Sequence, residues 1–509
     1  LSRWPDGSAR FALMDYAEPE VSPRTEVNFK LAKRADDTPV REPEHPGIRV
    51  EKTSDSITID TGALAWTFSR EEFSFAEAIR FDGRDWVGGL PSDAVVKDPA
   101  GQIYRASAGE YSIELEENGR QRVIVRMRGE YRNPLGRMMN YWIRFHFTRG
   151  GRQVLMLHHL RNREPGREGR DIAASYLEGG LAVDDSCRRI LHQARTHNAV
   201  QAPLEIPENV DIDVLERETA IRKEESLREN PDDVLYSLKH DLQEMGTNRS
   251  CAPFIDLIEP AAGGMLFKFV MADPNLQFPM RLASEGNRFQ IDFFPESEGP
   301  YHFNEGMGKT RDVLFCFHDE NRPAMDIFHR ADNLSYPGVV GVPDRVYRQA
   351  DFGDVHPLLE KQPNKYPVLE KRLDYMESPG NYELKQAMKA SPVRNNCCGW
   401  RDFGDYVALR GRTPEWGVRQ YVNNEEDYIH AIMLNAWRQG QPYGGLDAAR
   451  HLMDIDYIDF STDPARDGAT CPHSTNHTDG EVYPSHQWCQ GLLYFYLATG
   501  DEEALRISR

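Results

Sequence analysis

The sequence lacks an apolar run near the roughly 18 residues that a membrane-spanning helix requires, so we expect no membrane partner. Basic residues are outnumbered: 61 Lys and Arg stand against 81 Asp and Glu, giving a formal net charge of -20. Because nucleic acids and anionic membranes favour basic surfaces, this charge argues against either as the main partner. A locally positive cleft for an acidic ligand is compatible with this charge.

Several signatures of catalysis and metal binding are missing as well. The 7 Cys include no CxxC spacing, which argues against a zinc ribbon, and their odd number does not indicate a disulfide framework. No HExxH and no GxSxG motif occurs, which argues against a metalloprotease or a serine hydrolase. The chain opens on Leu1 without a signal-like segment, and we expect it to be part of a longer protein. The compartment is not determined by the sequence: secretion or the periplasm is favoured, and the cytoplasm stays an alternative.

Hydrophobic residues make up 39% of the 509, enough for a large core, and roughly 150 residues per domain suggests about three domains. Between residues 47 and 340, apolar and polar residues alternate as in half-buried strands. Asn118-Gly119 and Gly150-Gly151 each separate two such runs and predict hairpins. This pattern predicts a large antiparallel β-sandwich, interrupted by an acidic insertion at 205–245 that we expect to be partly helical.

After about residue 375 the spacing of apolar residues becomes helical. Residues 429–437 present one apolar face, and residues 488–499 present a second that ends at Gly500. Asp501 then stands where the N-cap of the next helix is expected. Helices joined by short turns are the unit of α/α toroids, so we expect a partial toroid in this half.

Polar clusters in the helical half suggest a site for an acidic sugar. His473 and His477 are candidates for removing a proton, and Tyr421 for returning one. Arg401 and Asn424 are candidates for binding a carboxylate as negative charge develops on it. Further substrate contacts are expected from a set that includes two indole platforms: Trp400, Asp405, Arg419, His486 and Trp488.

These residues also have purely structural interpretations. A histidine beside a helix start is commonly a surface or capping residue, and Trp488 stands at a spacing typical of a helix core. Asp402 and Asp405 fit turns beside Gly404, and the acids at 425–427 fit the first turn of a helix.

A catalytic zinc is a further alternative for the histidine cluster. His473 and His477 are four residues apart, with Asp479 and His486 nearby as additional ligands. Because Pro472 and the polar run after it favour a loop, we predict no metal ligands among these residues.

Several segments, taken in order, resemble the exo-rhamnogalacturonan lyase/YetA-like family over nearly the whole chain. They are LSRWPDGSARFALMDY, TGALAWTF, FDGRDWV, GMGKTRDVLFCFH, GWRDFGDY, NNEEDYIH and HSTNHTDGEVYPSHQWCQGLLYFYLATGDEEAL. The resemblance implies an N-terminal RIFT-type barrel, a central β-sandwich and a C-terminal α/α toroid. It also implies β-elimination at an acidic plant polysaccharide, releasing an unsaturated disaccharide from a chain end.

We therefore predict a multidomain β and α protein with four regions. The end of a small β-barrel spans 1–45, a β-sandwich 46–345, a linker 346–374 and an incomplete α/α toroid 375–509. Elimination with an organic base requires no cofactor, and a structural divalent cation is compatible with it. Lys309, in the GMGKT turn, is an additional candidate if its loop reaches the cleft.

The leading hypothesis is a polysaccharide lyase whose partner is an acidic polysaccharide or oligosaccharide. One alternative is an inverting glycoside hydrolase, which needs two carboxylates about 6.5 to 9.5 Å apart. Its candidates are Asp402, Asp405, Glu425, Glu426 and Asp427. A second alternative is a carbohydrate-binding protein without catalytic activity.

Overall fold

The computed structural model describes residues 47–166, 168–183, 279–319 and 488–508 as long stretches, together with shorter segments. The shorter segments are 2–3, 9–11, 187–196, 199–200, 204–206, 212–216, 236–240, 243–248, 252–259, 263–269, 364–371, 400–401, 407–408, 420–421, 427, 429–431, 433–434, 449–450, 452–458 and 461–470. Strands predominate up to residue 319, and helical segments follow it.

The strands are numbered in chain order. They are β1 (Ser2–Arg3), β2 (Ala9–Phe11), β3 (Arg49–Lys52), β4 (Ser56–Asp60), β5 (Leu64–Ser69), β6 (Ala78–Phe81), β7 (Arg84–Asp85), β8 (Ser92–Lys97), β9 (Ile103–Arg105), β10 (Tyr111–Asn118), β11 (Arg122–Asn133), β12 (Gly136–Thr148), β13 (Gln153–Arg161), β14 (Arg170–Ile172), β15 (Ala174–Gly180), β16 (Arg188–Thr196), β17 (Ala199–Val200), β18 (Leu204–Ile206), β19 (Ile212–Glu216), β20 (Tyr236–His240), β21 (Gln243–Asn248), β22 (Ala252–Glu259), β23 (Gly263–Phe269), β24 (Met280–Glu285), β25 (Arg288–Phe294), β26 (Tyr301–Phe303), β27 (Gly308–His318), β28 (Val407–Ala408), β29 (Gln420–Tyr421), β30 (Tyr457–Ile458) and β31 (Ala469–Thr470). The helical elements are a 3-10 turn (Glu296–Glu298), a π-helical turn (Leu452–Asp456), α1 (Gln490–Thr499) and α2 (Glu502–Ile507).

Most strands belong to two facing antiparallel layers. One layer follows the order β10–β11–β12–β13–β27–β23–β22–β16, and the other β9–β8–β15–β25–β24–β19–β20–β21. A separate five-stranded sheet contains β3 to β7. Phe289 of one layer lies 6.3 Å from Phe315 of the other, measured between ring centroids. The predicted antiparallel β-sandwich is therefore confirmed.

The first layer begins with the two predicted hairpins. β10 and β11 pair with Leu115 opposite Val125, and β12 and β13 pair with Phe147 opposite Val154. Asn118 is the last residue of β10, Gly119 begins its connection to β11, and Gly150-Gly151 stands in the connection between β12 and β13, as the turn chemistry predicts.

Alternation along β11 gives this layer two different faces. Val123, Val125 and Met127 are fully buried in the core between the layers. Arg126 and Arg128 point to the opposite side, because successive strand residues alternate.

The core between the layers is rich in aromatic side chains. Trp66 and Phe68 of the five-stranded sheet pack against Phe145 at centroid distances of 5.7 and 4.9 Å. Burying a side chain such as Phe contributes about 1.5 to 3 kcal/mol. This core holds β11, β12 and β13 rigidly and so fixes the polar face on their outer side.

Residues of the C-terminal half cover that polar face. Asp454 of the π-helical turn accepts hydrogen bonds from the backbone N and the hydroxyl of Thr310 on β27, at 2.8 and 2.9 Å. Glu503 of α2 pairs with Arg144 of β12 at 3.2 Å. The contact between sheet and helices is thus built from charged and polar groups.

The described helices match part of the sequence prediction. α1 ends at Thr499 and is followed by Gly500, whose φ of 73° is left-handed. Asp501 caps α2 by accepting from the backbone N of Glu503 and Ala504. An α/α toroid is not confirmed by these segments. None of the helices among the described residues is long and apolar enough to cross a membrane.

Part of the predicted acidic insertion lies among the described residues. Within 205–245 the described segments β19 and β20 pair as antiparallel strands, with Val214 opposite Leu238. The part of the insertion that we expect to be helical lies outside the described residues and stays a prediction.

Candidate functional site

A cavity of about 420 Å³ lies on the polar face of the first layer, beside α2. Five arginines and three glutamates line it, so its wall is net positive on a protein of net charge -20. The lining residues are Glu110, Arg126, Arg128, Gly129, Glu130, Asn140, Tyr141, Trp142, His159, Arg161, Arg163, Glu503 and Arg506. Such a wall suits a ligand with a carboxylate or another anionic group.

The arginines of β11 differ in their partners. Arg126 pairs with Glu114, and its Nη1 lies 2.9 Å from Glu116. Arg128 is exposed and donates its Nε hydrogen to the neutral hydroxyl of Ser112 at 3.2 Å. Within the described ranges Arg128 forms no ion pair, so its charge is available to a ligand.

Two aromatic residues of β12 form another part of the wall. Tyr141 and Trp142 are only 3% and 8% exposed, and both line the cavity. Burial, with the charge of Asp93, raises the pKa of Tyr141, so its phenol stays protonated at neutral pH. Gly129 faces Tyr141, and a Cβ there would lie 2.6 Å from the carbonyl oxygen of Glu110. Only glycine fits that point of the wall.

The floor of the cavity is a buried hydrogen-bond chain. Arg161, 2% exposed, donates from Nε to His159 Nε2 at 2.8 Å and from Nη2 to the carbonyl oxygen of Met453 at 2.9 Å. His159 Nδ1 lies 2.9 Å from Thr310 Oγ1 and 3.3 Å from Asp454 Oδ1. Burial lowers the pKa of Arg161 to about 9, which leaves it charged at neutral pH.

The side of the cavity next to α2 is an ion-pair network. Glu503 accepts from Arg506 Nε at 2.9 Å and lies 3.2 Å from Arg144 Nη2. Burial alone would raise the pKa of Glu503, but the charges of Arg506 and Arg144 outweigh it and lower the pKa to about 2. This carboxylate is therefore an ionised anchor for two arginines.

Most of the site residues predicted from the sequence lie outside the described residues. His473, His477, Asn424, Asp405, Arg419 and His486 belong to this group. Tyr421 is described as backbone only, on β29 opposite Val407. Their proposed roles stay predictions.

Trp400 requires a correction. Its ring is 3% exposed and packs against Phe294, Tyr301 and Phe303, at centroid distances of 5.4, 6.1 and 4.9 Å. A ring covered by three aromatic side chains cannot stack on a sugar, so the predicted platform role is not supported. The guanidinium carbon of Arg401 lies 6.0 Å from the same ring, and its predicted carboxylate-binding role stays a prediction.

Trp488 lies in a different environment. It precedes α1 and is 40% exposed, whereas Leu492 and Phe495 of α1 are buried. The helical spacing predicted one continuous face, but the helix begins two residues later, at Gln490. An exposed indole is compatible with the predicted sugar contact, which stays a prediction.

Asp427, a carboxylate of the hydrolase alternative, begins a helical segment. Its Oδ1 accepts from the backbone N of His430 at 3.1 Å, as an N-cap does. Burial raises its pKa despite this hydrogen bond. Lys309, the additional candidate, is 5% exposed, and its charge lowers the pKa of the Asp454 carboxyl.

The sequence analysis missed the residues that line the cavity. One signal was present: in RVIVRMRG of β11 and YWIRF of β12, arginines and Trp142 alternate with core residues. Basic residues that recur on one face of neighbouring strands indicate a positive sheet face. Within the described ranges, no group of three or more His, Cys, Asp or Glu side chains could hold a metal ion.

Comparison with known proteins gives one family match. The profile of the PcRGLX-like protein central beta sandwich domain matches residues 48–166, which include β3 to β13. This supports, for that domain, the resemblance to rhamnogalacturonan lyase-like, carbohydrate-active proteins. No curated protein matches the chain significantly.

The solved structures that the chain matches are distant. A putative aldose 1-epimerase from Escherichia coli K12 has 10% identity and a TM-score of 0.31, covering 54% of this chain and 100% of that one. An alpha-N-acetylgalactosaminidase from Bifidobacterium bifidum has 11% identity and a TM-score of 0.30, covering 56% and 39%. A GH36 alpha-galactosidase from Geobacillus stearothermophilus has 9% identity and a TM-score of 0.30, covering 54% and 41%. At these scores none of them bears on activity.

Proposed function

We propose that the chain is a polysaccharide lyase that cleaves a rhamnogalacturonan-like acidic polysaccharide by β-elimination at a uronate. The observation that carries this proposal is the arginine-lined cavity on the domain that the family profile matches. Exo action is proposed from the family resemblance. A lyase must stabilise the uronate carboxylate, remove the C5 proton and protonate the leaving O4.

The cavity suits the first of these tasks. As the C5 proton leaves, negative charge spreads onto the carboxylate, and fixed guanidinium groups stabilise that charge without rearranging. Arg128, Arg161 and Arg506 present cations from β11, β13 and α2 to one space. Tyr141 and Trp142 are largely buried, and Trp142 is contacted by His159 and Arg144, so these rings add only apolar edges to the wall.

The base is proposed to come from outside the described wall. Nε2 of His159 accepts a hydrogen bond from Arg161, and burial keeps the Tyr141 phenol protonated. Neither group can take up a proton readily at neutral pH. His473 or His477 therefore remains our candidate base, and Tyr421 our candidate for protonating O4.

The test is ultraviolet absorbance during incubation of the chain with rhamnogalacturonan, which rises when an unsaturated uronate forms. Loss of a catalytic base typically costs about 10²- to 10⁴-fold, so His473→Ala or His477→Ala should abolish most of the rise. Arg128→Gln should raise KM about tenfold, because a charge-assisted hydrogen bond contributes about 1.5 kcal/mol or more. Arg122→Gln is the matched control, since Arg122 lies on the same strand, pairs with Glu117 and does not line the cavity.

New reducing ends without absorbance would replace this proposal with the hydrolase alternative and its carboxylates. Saturable binding of oligosaccharide without any product would replace it with a carbohydrate-binding function.

A further inference from the structure

The ring of His159 is held from three sides at the floor of the cavity. Thr310 and Asp454 contact Nδ1, and Arg161 contacts Nε2. The indole of Trp142 stacks on the ring at a centroid distance of 4.6 Å and an interplanar angle of 5°. The imidazole therefore has little freedom to turn.

These contacts determine where the ring carries its proton. A guanidinium has N–H donors and no acceptor, so Nε2 of His159 must offer a lone pair to Arg161. The proton of the neutral ring is then on Nδ1, where it faces the oxygens of Thr310 and Asp454. Burial and the charge of Arg161 lower the pKa of His159 to about 4, which keeps the ring neutral at neutral pH.

Asp454 is held in place at one end of the hydrogen bonds that lead through His159 to Arg161. Its side chain is 4% exposed and accepts from the backbone N and hydroxyl of Thr310. Burial would raise its pKa, but the hydrogen bond from His159 and the charges of Lys309 and Arg161 hold the pKa well below its usual range. An anionic Asp454 selects the Nδ1–H form of His159.

Arg161 is thereby restrained at two nitrogens. His159 takes the hydrogen of Nε, and the carbonyl oxygen of Met453 takes one from Nη2. Met453 and Asp454 belong to the same π-helical turn, so a single element restrains the guanidinium directly and through the imidazole. A cation that is already restrained loses less conformational entropy when a ligand binds.

We propose that Asp454 and His159 are positioning residues that orient Arg161 to bind the free carboxylate of a uronate in the cavity. The proposal deepens the proposed function and rests on it for the class of ligand. The proposal implies that the cavity binds an ionised uronate more tightly than the neutral sugar of the same shape. This preference depends on the buried hydrogen bonds among Asp454, His159 and Arg161.

The test measures equilibrium binding of galacturonate and of neutral galactose to the full chain by titration calorimetry, without turnover. Wild type should bind galacturonate at least about tenfold more tightly, since one charged hydrogen bond contributes about 1.5 to 3 kcal/mol. His159→Leu should remove most of that ratio by weakening the binding of galacturonate. His159→Gln, whose amide oxygen can accept from Arg161 and whose NH₂ can donate to Asp454, should keep the ratio within about threefold of wild type.

Asp454→Asn is the second variant, for use if His159→Leu does not fold. An Asn amide can donate to Nδ1 and so favours the proton on Nε2, which opposes the Nε hydrogen of Arg161. We expect the same loss of the galacturonate-to-galactose ratio. Arg122→Gln, outside the cavity, should leave the ratio at the wild-type value.

If the folded variants keep the wild-type ratio of galacturonate to galactose affinity, the hydrogen bonds among Asp454, His159 and Arg161 are only structural. That result would overturn the proposal. Equal affinity of wild type for the two sugars would also overturn it. A clear preference that is lost in His159→Leu, in a protein that forms no unsaturated product, would support the positioning chain while refuting lyase activity.

Discussion

The guanidinium of Arg144 and the carboxylate of Glu503 meet across the boundary between β12 and α2. Nη2 and Oε2 are 3.2 Å apart, and the two side chains are only 5% and 6% exposed. Arg144 also forms a two-pronged ion pair with Glu116 and lies over the ring of Trp142 at 4.3 Å. The sheet and the C-terminal helix are therefore joined by buried charges.

We expect Arg144→Met to lower the free energy of unfolding by about 3 to 5 kcal/mol, because it leaves two buried carboxylates without their shared cation. Urea unfolding followed by circular dichroism measures the change. Arg132→Gln is the control, since Arg132 is 47% exposed and pairs with Glu130 at the surface. That exposed pair should contribute no more than about 1 kcal/mol. A similarly small change in the free energy of unfolding for Arg144→Met would mean that the ion pairs of Arg144 do not stabilise the protein.

Acid should destabilise the protein from about pH 6.5 downward. Burial lowers the pKa of His158 to about 3 and that of His159 to about 4, so the folded state keeps both rings neutral. The unfolded chain binds these protons near pH 6.5, so stability is fully present above that value and is lost as the pH falls toward 4 and then 3. These two protons contribute roughly 2.7 kcal/mol per pH unit to the slope near pH 5. His146, whose pKa burial also lowers to about 3, adds a third proton and steepens the slope further.

Urea unfolding across this pH range measures the slope. A variant with His158→Gln and His159→Gln should show a shallower dependence between pH 6.5 and 4. An identical slope in the variant would assign the acid sensitivity to other groups.

Gly129→Ala should disturb the cavity wall. The added Cβ would lie 2.6 Å from the carbonyl oxygen of Glu110 and 2.7 Å from Tyr141 Oη, so backbone or ring must move. We expect a loss of about 1 to 3 kcal/mol in stability, typical of overpacking, and weaker galacturonate binding. Gly47→Ala is the control, because its nearest contacts are at 3.4 Å. Thermal unfolding measures the stability, and calorimetry measures the affinity for galacturonate. If Gly129→Ala has wild-type stability and affinity, Gly129 does not form part of the wall that contacts the ligand.

The two tryptophans of the helical half should behave differently. Trp400→Leu should lower the free energy of unfolding by about 3 kcal/mol, because it removes a ring enclosed by three aromatic side chains. Trp488→Leu, at a 40% exposed position, should change it by no more than about 0.5 kcal/mol. If Trp488 stacks on a sugar, its variant loses affinity for oligosaccharide at unchanged stability. A stable Trp400 variant with weakened sugar binding would restore the platform interpretation.

The parts of the fold that were predicted correctly depend on local sequence patterns. The Asn-Gly and Gly-Gly turns and the alternation along β11 and β12 need only neighbouring residues, as does the cap formed by Asp501. The floor of the cavity could not be predicted in this way. Arg161 and Met453 are 292 residues apart, and Arg144 and Glu503 are 359 apart. Such pairs are set by the packing of two regions, and a single sequence contains no local signal for them.

The candidate site shows the same contrast between local sequence patterns and contacts of residues far apart in the sequence. Clusters such as His473 to His477 attract attention because they are contiguous, whereas the lining arginines are spread over β11, β13 and α2. In a strand, an outward arginine resembles an ordinary surface charge until its neighbours across the sheet are known.

Without residues 449–508, the sandwich would expose Arg144 and His159 to water. Its outer layer would then be a broad cationic sheet face, which attracts polyanions of many kinds. The C-terminal residues place Asp454 and Glu503 against this face and leave one space of limited volume. In this way the C-terminal residues reduce a broad positive sheet face to a pocket bounded by two carboxylates.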